Sequence, residues 1–336
     1  MRYTFCLILA VFALSAREQL TPEQIQVQLN AAEAQYQQAK KMFNPWYTGP
    51  LITPSANMMP PGFANIQPYL FVGGTYANFN AKRQSIPLEH NLYSMQITSG
   101  MAIGVTKSVD CNIIPAGIMN WQRGKTGGGF NDLSATVGFL INPETLYVPG
   151  MKFFIAETFP TGKYKNLSFN GLGLNSTGGG TYQTQFGFIT SKAIWWTYPH
   201  PMNLRAFVGY TIETTVHVEG FNTYGGGFHT DGIVRPGNTL TADLGIECAL
   251  SQRWVLAADV VYSAQNRTKF HGNPGVLANG LPAPVGSPYN DNLSLAPAIE
   301  YNWNPNLGIL GGVQFSVYGR SSPNFAKGQF SVTYTF

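Results

Sequence analysis

From residue 64 to the last residue, large apolar and small polar side chains alternate one by one. That is a period of two, which one face of a helix cannot sustain. The final stretch shows it most plainly: Phe330, Val332, Tyr334 and Phe336 share one face, while Gln329, Ser331, Thr333 and Thr335 share the other. Residues 239–250 repeat the pattern, with Leu240, Ala242, Leu244, Ile246, Cys248 and Leu250 set against Thr239, Thr241, Asp243, Gly245, Glu247 and Ala249. Trp254, Leu256, Ala258, Val260 and Tyr262 oppose Asp259, Ser263 and Gln265; Leu293, Leu295, Ile299, Tyr301 and Trp303 oppose Ser294, Glu300 and Asn302. Twelve strands are predicted in this way, at about 64–79, 91–106, 110–121, 131–141, 150–159, 180–192, 203–219, 238–250, 253–266, 292–303, 306–318 and 325–336. Most exceed the ~9–11 residues that a tilted strand needs to cross a bilayer.

The connections alternate in outline between shorter ones (107–109, 142–149, 193–202, 251–252, 304–305) and longer ones (80–90, 122–130, 160–179, 220–237, 267–291), with the brief 319–324 as an exception. Short turns on one side, long loops on the other and an even strand number predict an all-β, antiparallel, up-and-down transmembrane barrel with both ends of the chain on the periplasmic side. A terminal strand with a bare apolar face and an open edge would be an aggregation hazard unless a partner strand closed it. Charge then orients the wall. A charged side chain on the lipid face near the midplane costs ~2–4 kcal/mol for Arg or Lys and somewhat less for Asp or Glu. Asp243, Glu247, Asp259 and Glu300 are therefore expected to face the lumen, together with Arg205 and Glu213 on strand 203–219. His217 is placed on that same strand, pointing inward. Cys248 faces lipid and Cys111 begins a strand five places away around the wall, so the two stay unbridged, since a disulfide needs Cα atoms within ~7 Å.

Charged residues make up 11% of the chain against roughly 25% in soluble domains, which suits one face in lipid and one on a polar lumen. Beyond the amino terminus no apolar run reaches the roughly 20 residues of a spanning helix. Residues 1–16, a single Arg2 followed by the apolar run 5–14, read as a secretory signal peptide. Thr21-Pro22-Glu23-Gln24 opens a short periplasmic helix over 22–42. Residues 43–63 are apolar but proline-rich, which excludes regular structure. They form a linker or a plug folded into the barrel, with the linker the heavier reading. Trp195, Trp196, Trp254 and Trp303 fall at strand ends, where an interfacial girdle belongs.

The carboxyl-terminal alternation ending on Phe336 resembles the terminal signal of bacterial outer-membrane barrels. That resemblance implies residence in the outer membrane and insertion by the barrel-assembly machinery, with Phe330, Val332, Tyr334 and Phe336 as the signal. Phe159-Pro160-Thr161-Gly162-Lys163-Tyr164 resembles the Pro-Thr-Gly motif of outer-membrane barrels associated with the meta-pathway of phenol degradation. It implies uptake of small solutes, hydrophobic or aromatic compounds among them.

The acidic lumen set Glu213, Asp243, Glu247, Asp259 and Glu300, with Arg205 as its basic counterpart, suggests either a cation-favouring path or a network filling a closed barrel. Lys82, Arg83, Arg123, Lys125, Lys163, Lys165, Arg235, Arg267, Lys269 and Arg320 make the outer loops basic. Their expected partner is lipid and anionic lipopolysaccharide, not nucleic acid. Gly124-Lys125-Thr126 fails as a phosphate loop because Met119 stands where the first glycine is required. His90, His200, His217, His229 and His271 lack metal-ligand spacing, so no metal, cofactor or enzymatic activity is expected. A barrel enzyme resembling outer-membrane phospholipase would need Ser and His together on the lipid face. The sequence thus reads as an outer-membrane channel, with a surface or adhesive barrel of closed lumen as the alternative.

Overall fold

The computed structural model describes residues 21–41, 49–197 and 199–336. The expected signal segment and Trp46 lie outside the described residues. Twelve wall strands run up and down, each antiparallel to its neighbours. The first are β1 (Ala64–Phe79) and β2 (Ser85–Gly104). The third comes in two pieces, β3 (Val109–Ile114) and β4 (Ala116–Gln122), because Pro115 has no N–H to give the ladder. Its carbonyl still accepts from Ser99 N at 3.1 Å. The fourth, β5 (Lys125–Phe130) with β6 (Leu133–Asn142), is likewise divided, and β7 (Gly150–Phe159), β8 (Gln183–Ile194) and β9 (Met202–Glu213) follow. Two short strands, β10 (Val216–Glu219) and β11 (Asp231–Arg235), then depart into an outer loop. The wall resumes with β12 (Thr239–Ala249) and β13 (Trp254–Gln265), and after the loop strand β14 (Lys269–Asn273) it ends with β15 (Asn290–Asn304), β16 (Leu307–Arg320) and β17 (Pro323–Thr335).

The ring closes where β1 pairs with β17 on one side and with β2 on the other. Ala64 and Phe336 exchange both backbone hydrogen bonds there, each 2.9 Å. Closure removes the edge that β1 and β17 would otherwise present to hydrocarbon. Leu70, Leu244, Leu256, Ile299, Phe330, Tyr334 and Phe336 are exposed on the outer surface, while Gln329 and Ser331 between them are buried inside. Such a belt around a closed barrel is the architecture of the outer membrane. Trp254 and Trp303 flank Tyr301 at the short-turn end, with ring centroids 4.7 and 5.1 Å away, and Trp195 meets Trp196 edge-on at the β8–β9 turn. Cys111 and Cys248 are free.

Two features depart from the expected layout. The strand expected over 203–219 ends at Glu213, where its partner β8 begins at Gln183 and leaves it nothing to pair with. His217 is therefore not in the wall. It lies half-exposed on β10, in a three-stranded sheet β10-β11-β14 above the outer rim, 2.8 Å from Asp231 and 3.6 Å from Glu219. Val216, Val218 and Val234 on the other face of that sheet pack with Tyr164, Tyr224 and Phe270 from the outer loops. The second departure is a clamp over the closing seam. Arg83, in the β1–β2 turn, reaches across the tops of β17 and β16 to Asp291 on β15 with a two-pronged contact of 2.5 and 2.8 Å. That carboxylate raises the guanidinium pKa further.

The helix α1 (Pro22–Lys40) opens with a capping box: Thr21 N donates to Gln24 Oε1 at 2.9 Å, and Gln24 N donates to Thr21 Oγ1 at 3.3 Å. It docks on the single turn Trp195–Thr197 between β8 and β9, so it lies at the short-turn end. Tyr36 is its buried anchor, with Lys192 Nζ 5.5 Å from the ring centroid, whereas Ile25, Val27 and Leu29 stay exposed.

Candidate functional site

Period-two geometry brings the inward residues of adjacent strands level with one another, and the registers of β9, β12, β13 and β15 assemble the acidic wall. Glu247 lies opposite Asn203, Gly245 lies between Arg205 and Asp259, and Val255 separates Glu300 from Ala249. Arg205, Asp243, Glu247, Asp259 and Glu300 are all buried. Arg205 Nε approaches Glu247 Oε2 to 2.9 Å with both side chains at 1% exposure or less, and Asn203 Nδ2 donates to the same oxygen at 3.0 Å. Glu213 does not join this group. It stands nearer the outer mouth and accepts from Thr181 Oγ1 at 3.1 Å.

What fills the lumen is the chain itself. Residues 49–61, weighed above chiefly as a linker, run inside the barrel. Gly49 N donates to Glu247 Oε1 (3.1 Å), Ile52 N to Asp259 Oδ2 (3.2 Å), Thr53 N to Asp259 Oδ1 (3.1 Å), and the Thr53 hydroxyl to that same oxygen at 2.6 Å. Proline-rich backbone cannot pair with a sheet, so its N–H groups must find side-chain acceptors when buried. The carboxylates supply them. Leu51 packs against Ala296 and Leu310, and Ala56 against Phe154, Ile189 and Phe207 on the far wall. The segment then returns to the short-turn rim: Met59 N meets Asp110 Oδ2 at 3.4 Å, and Pro61 bridges to Gly104.

Two inward glycines make room for it. A Cβ on Gly245 would come within 2.8 Å of Pro50 Cγ and 3.0 Å of Thr53. On Gly312 it would sit 2.5 Å from Leu51 Cδ1, and equally close to the Pro297 carbonyl of the neighbouring strand. Gly104 is a third close approach, against the carbonyls of Met59 and Pro60. These glycines, and Asp110 with its partner Lys152 (2.6 Å), were not singled out from sequence. The available signal was an inward-facing glycine where the neighbouring inward positions carry large or charged groups, which means that a guest occupies the space.

The wall opposite the acidic cluster is mild. Asp110–Lys152 is an ion pair on the inner face, and the inward positions near it are hydroxyls and amides such as Ser134 bonded to Thr158 at 2.6 Å; Lys192, level with the outward Leu204, pairs with Glu144 (3.1 Å) at the short-turn end. On the outer side, the Pro160-Thr161-Gly162 motif serves as a loop anchor. Thr161 Oγ1 accepts from Leu133 N (2.9 Å) and donates to Asn131 O (3.2 Å), and Asp132 accepts from Gly162 N (2.7 Å) and Gly179 N (2.8 Å). Tyr224 OH donates to Gly179 O at 2.8 Å, and burial pushes its phenol pKa up. Part of the basic outer charge is neutralised within the chain: Arg83 by Asp291, Arg123 by Glu89, and Lys165 by Glu219.

No protein-family model matches the sequence, and no curated protein matches it. Among solved structures, the COG4313 outer membrane channel from Pseudomonas putida F1 superimposes with a TM-score of 0.65 at 10% identity, over 85% of this chain and 100% of that one. The translocator domain of the autotransporter NalP from Neisseria meningitidis overlays at TM-score 0.48 and 12% identity (92% and 98% covered). The deltaS2 mutant of the TodX monoaromatic hydrocarbon channel does so at 0.38 and 11% (82% and 90%). The first overlay shows a shared barrel fold.

Proposed function

We propose that this protein is an outer-membrane channel for small solutes, held closed at rest by its own residues 49–61. The observation that carries the reading is the manner of closure. The segment hangs on Glu247 and Asp259 through hydrogen bonds to ionisable acceptors, with one leucine and one alanine as its apolar seats. A barrel meant to stay shut would be filled by side chains of the wall, as in small barrels. Here a removable strip of chain does the filling, and the wall behind it is polar. Hydrophobic or aromatic solutes are compatible with the Leu51 and Ala56 seats, and the basic residues of the outer loops suit the anionic lipopolysaccharide around the rim. The carboxyl-terminal residues Phe330, Val332, Tyr334 and Phe336 face outward and suit recognition by the barrel-assembly machinery.

The filled lumen also favours a second reading, a surface barrel whose outer loops bind a partner and whose core never opens. Planar-bilayer recordings separate the two. The channel reading expects brief, rare openings of the native protein and steady current once residues 49–58 are deleted. Silence from both proteins, with the barrel shown to be folded by heat-modifiable electrophoretic mobility, would overturn it in favour of the surface barrel.

A further inference from the structure

The segment inside the lumen shows what the lumen is built to hold. Every polar contact it makes to Glu247 and Asp259 is a donated one: three main-chain N–H groups and one hydroxyl, at 2.6–3.2 Å. Two residues from Thr53 lies the apolar body, Leu51, seated on Gly312 between Ala296 and Leu310. Beside these contacts the wall keeps an acceptor in reserve. Asp243 is 4% exposed, is diagonal to Asp259 across the β12–β13 ladder, and has one carboxylate oxygen with no hydrogen-bond partner among the described residues. Within β9, β12, β13 and β15 the single basic residue is Arg205, and it is engaged with Glu247.

Resting on the channel reading, we infer that the preferred solute is a small organic cation: a primary ammonium carried on a short apolar body, which displaces residues 49–61 by competing for Asp259 and Asp243. An ammonium has three donors and no acceptor, which matches a wall of carboxylates that asks only for donors. Anions are disfavoured beside Asp259 and Asp243, because a second carboxylate would be desolvated next to the first; the inward lysine Lys327 stands apart on β17, over the rings of Phe71 and Phe325. The span between the two seats sets the size. The chain bends at Leu51, Ile52 and Thr53, so the two seats lie within the roughly 6–7 Å that two extended residues would span, which suits a phenyl ring on a two-carbon tether. The Leu51 seat takes the ring, and Asp259 with Asp243 takes the head.

The test uses the full chain in planar bilayers and in detergent micelles, with 2-phenylethylammonium as the probe and its near-isosteres 2-phenylethanol (neutral) and phenylacetate (anionic) as controls. The cation should raise open time at least about tenfold over both controls and give a calorimetric binding signal that they lack, since a hydrogen bond to a charged group decides the comparison. Deleting residues 49–58 should tighten the apparent affinity for the cation, because the competitor is gone. Asp243→Asn should weaken it about tenfold. If the native and deleted proteins conduct potassium but the three probes behave alike, or Asp243→Asn binds the cation unchanged in calorimetry, this inference falls and the channel stands. If neither protein conducts, the channel reading falls and takes this one with it. Should Asp243→Asn fail to fold, the affinity gain on deleting 49–58 decides alone, and its absence overturns the competition.

Discussion

The two halves of the lumen wall solve opposite problems with the same kinds of residue. On the β2–β8 side, the inward carboxylate and ammonium pair with each other: Asp110 takes Lys152. On the β9–β15 side, four buried carboxylates, Asp243, Glu247, Asp259 and Glu300, share a single strand arginine, and two of them turn to the main chain of residues 49–53 for the donors they lack. The self-paired wall holds the segment more loosely, by Met59 N on Asp110 at 3.4 Å and by the packing of Ala56. The unbalanced wall is completed by a segment that arrives from outside the barrel's own register. The imbalance therefore marks the working side, and it should be the side where substitutions change behaviour rather than stability alone.

Arg205→Met should have the largest effect, because it touches both. It leaves Glu247 buried beside its lost counter-charge. Breaking one partner of a buried pair costs on the order of 3–5 kcal/mol, of which the full amount applies only where no water enters. The midpoint of urea unfolding in micelles should drop accordingly, and adding Glu247→Gln should recover a good part of the loss. A double variant no more stable than the single one would mean that Arg205 is held by other groups. Asp259→Asn comes next. The carboxylate's two oxygens receive three donors, and an amide presents one oxygen and one NH2, so at least one donated bond becomes a donor facing a donor. Open probability should rise about tenfold or more, at a cost of ~1–3 kcal/mol for the grip on the segment. The corresponding change on the balanced side, Lys152→Met, should lower stability while leaving open probability near its native value. If both variants open the channel equally, the contrast between the walls has no functional meaning. Gly245→Ala tests the fit of the segment: its Cβ would meet Pro50 Cγ at 2.8 Å and Thr53 at 3.0 Å before any atom of the wall, and overpacking of ~1–3 kcal/mol should loosen the segment by a smaller margin.

The barrel was legible in the sequence because it obeys one rule over 270 residues. Each strand alternates, and the cost of charge in lipid tells which face is which; Asp243, Glu247, Asp259 and Glu300 were placed on the inner face by that cost alone, and they lie there. The lumen segment was only half legible, left open between linker and plug by its apolar, proline-rich composition, for a complementary reason. Its contacts use main-chain N–H groups, which every residue but proline owns, and they bind carboxylates about 200 positions further on. No periodicity records that. His217 shows the rule misleading: Val216, His217 and Val218 continue the alternation of β9 without a break, but the pairing partner has ended. Alternation reports that a strand has two faces. It does not report which sheet the strand has joined. The Pro160-Thr161-Gly162 motif, noticed for a resemblance, is explained by local hydrogen bonds to Asn131, Asp132 and Leu133.

The smallest effect belongs to the outermost region, and it sharpens the comparison from the other side. His217 sits half-exposed above the rim, between Asp231 and Glu219, on a sheet packed by Val216, Val218 and Val234 from its other face. An exposed pair of this kind is worth at most a fraction of a kcal/mol once solvent screens it, and the valines, not the histidine, hold the sheet down. His217→Ala should leave unfolding midpoint, conductance and any lipid hydrolysis by purified protein indistinguishable from the native chain. A loss of lipase activity on this substitution would revive the enzyme reading and place chemistry on the loops. A change in conductance would instead mean that the outer sheet gates the lumen, and that the two unequal walls beneath it are only half of the closing device.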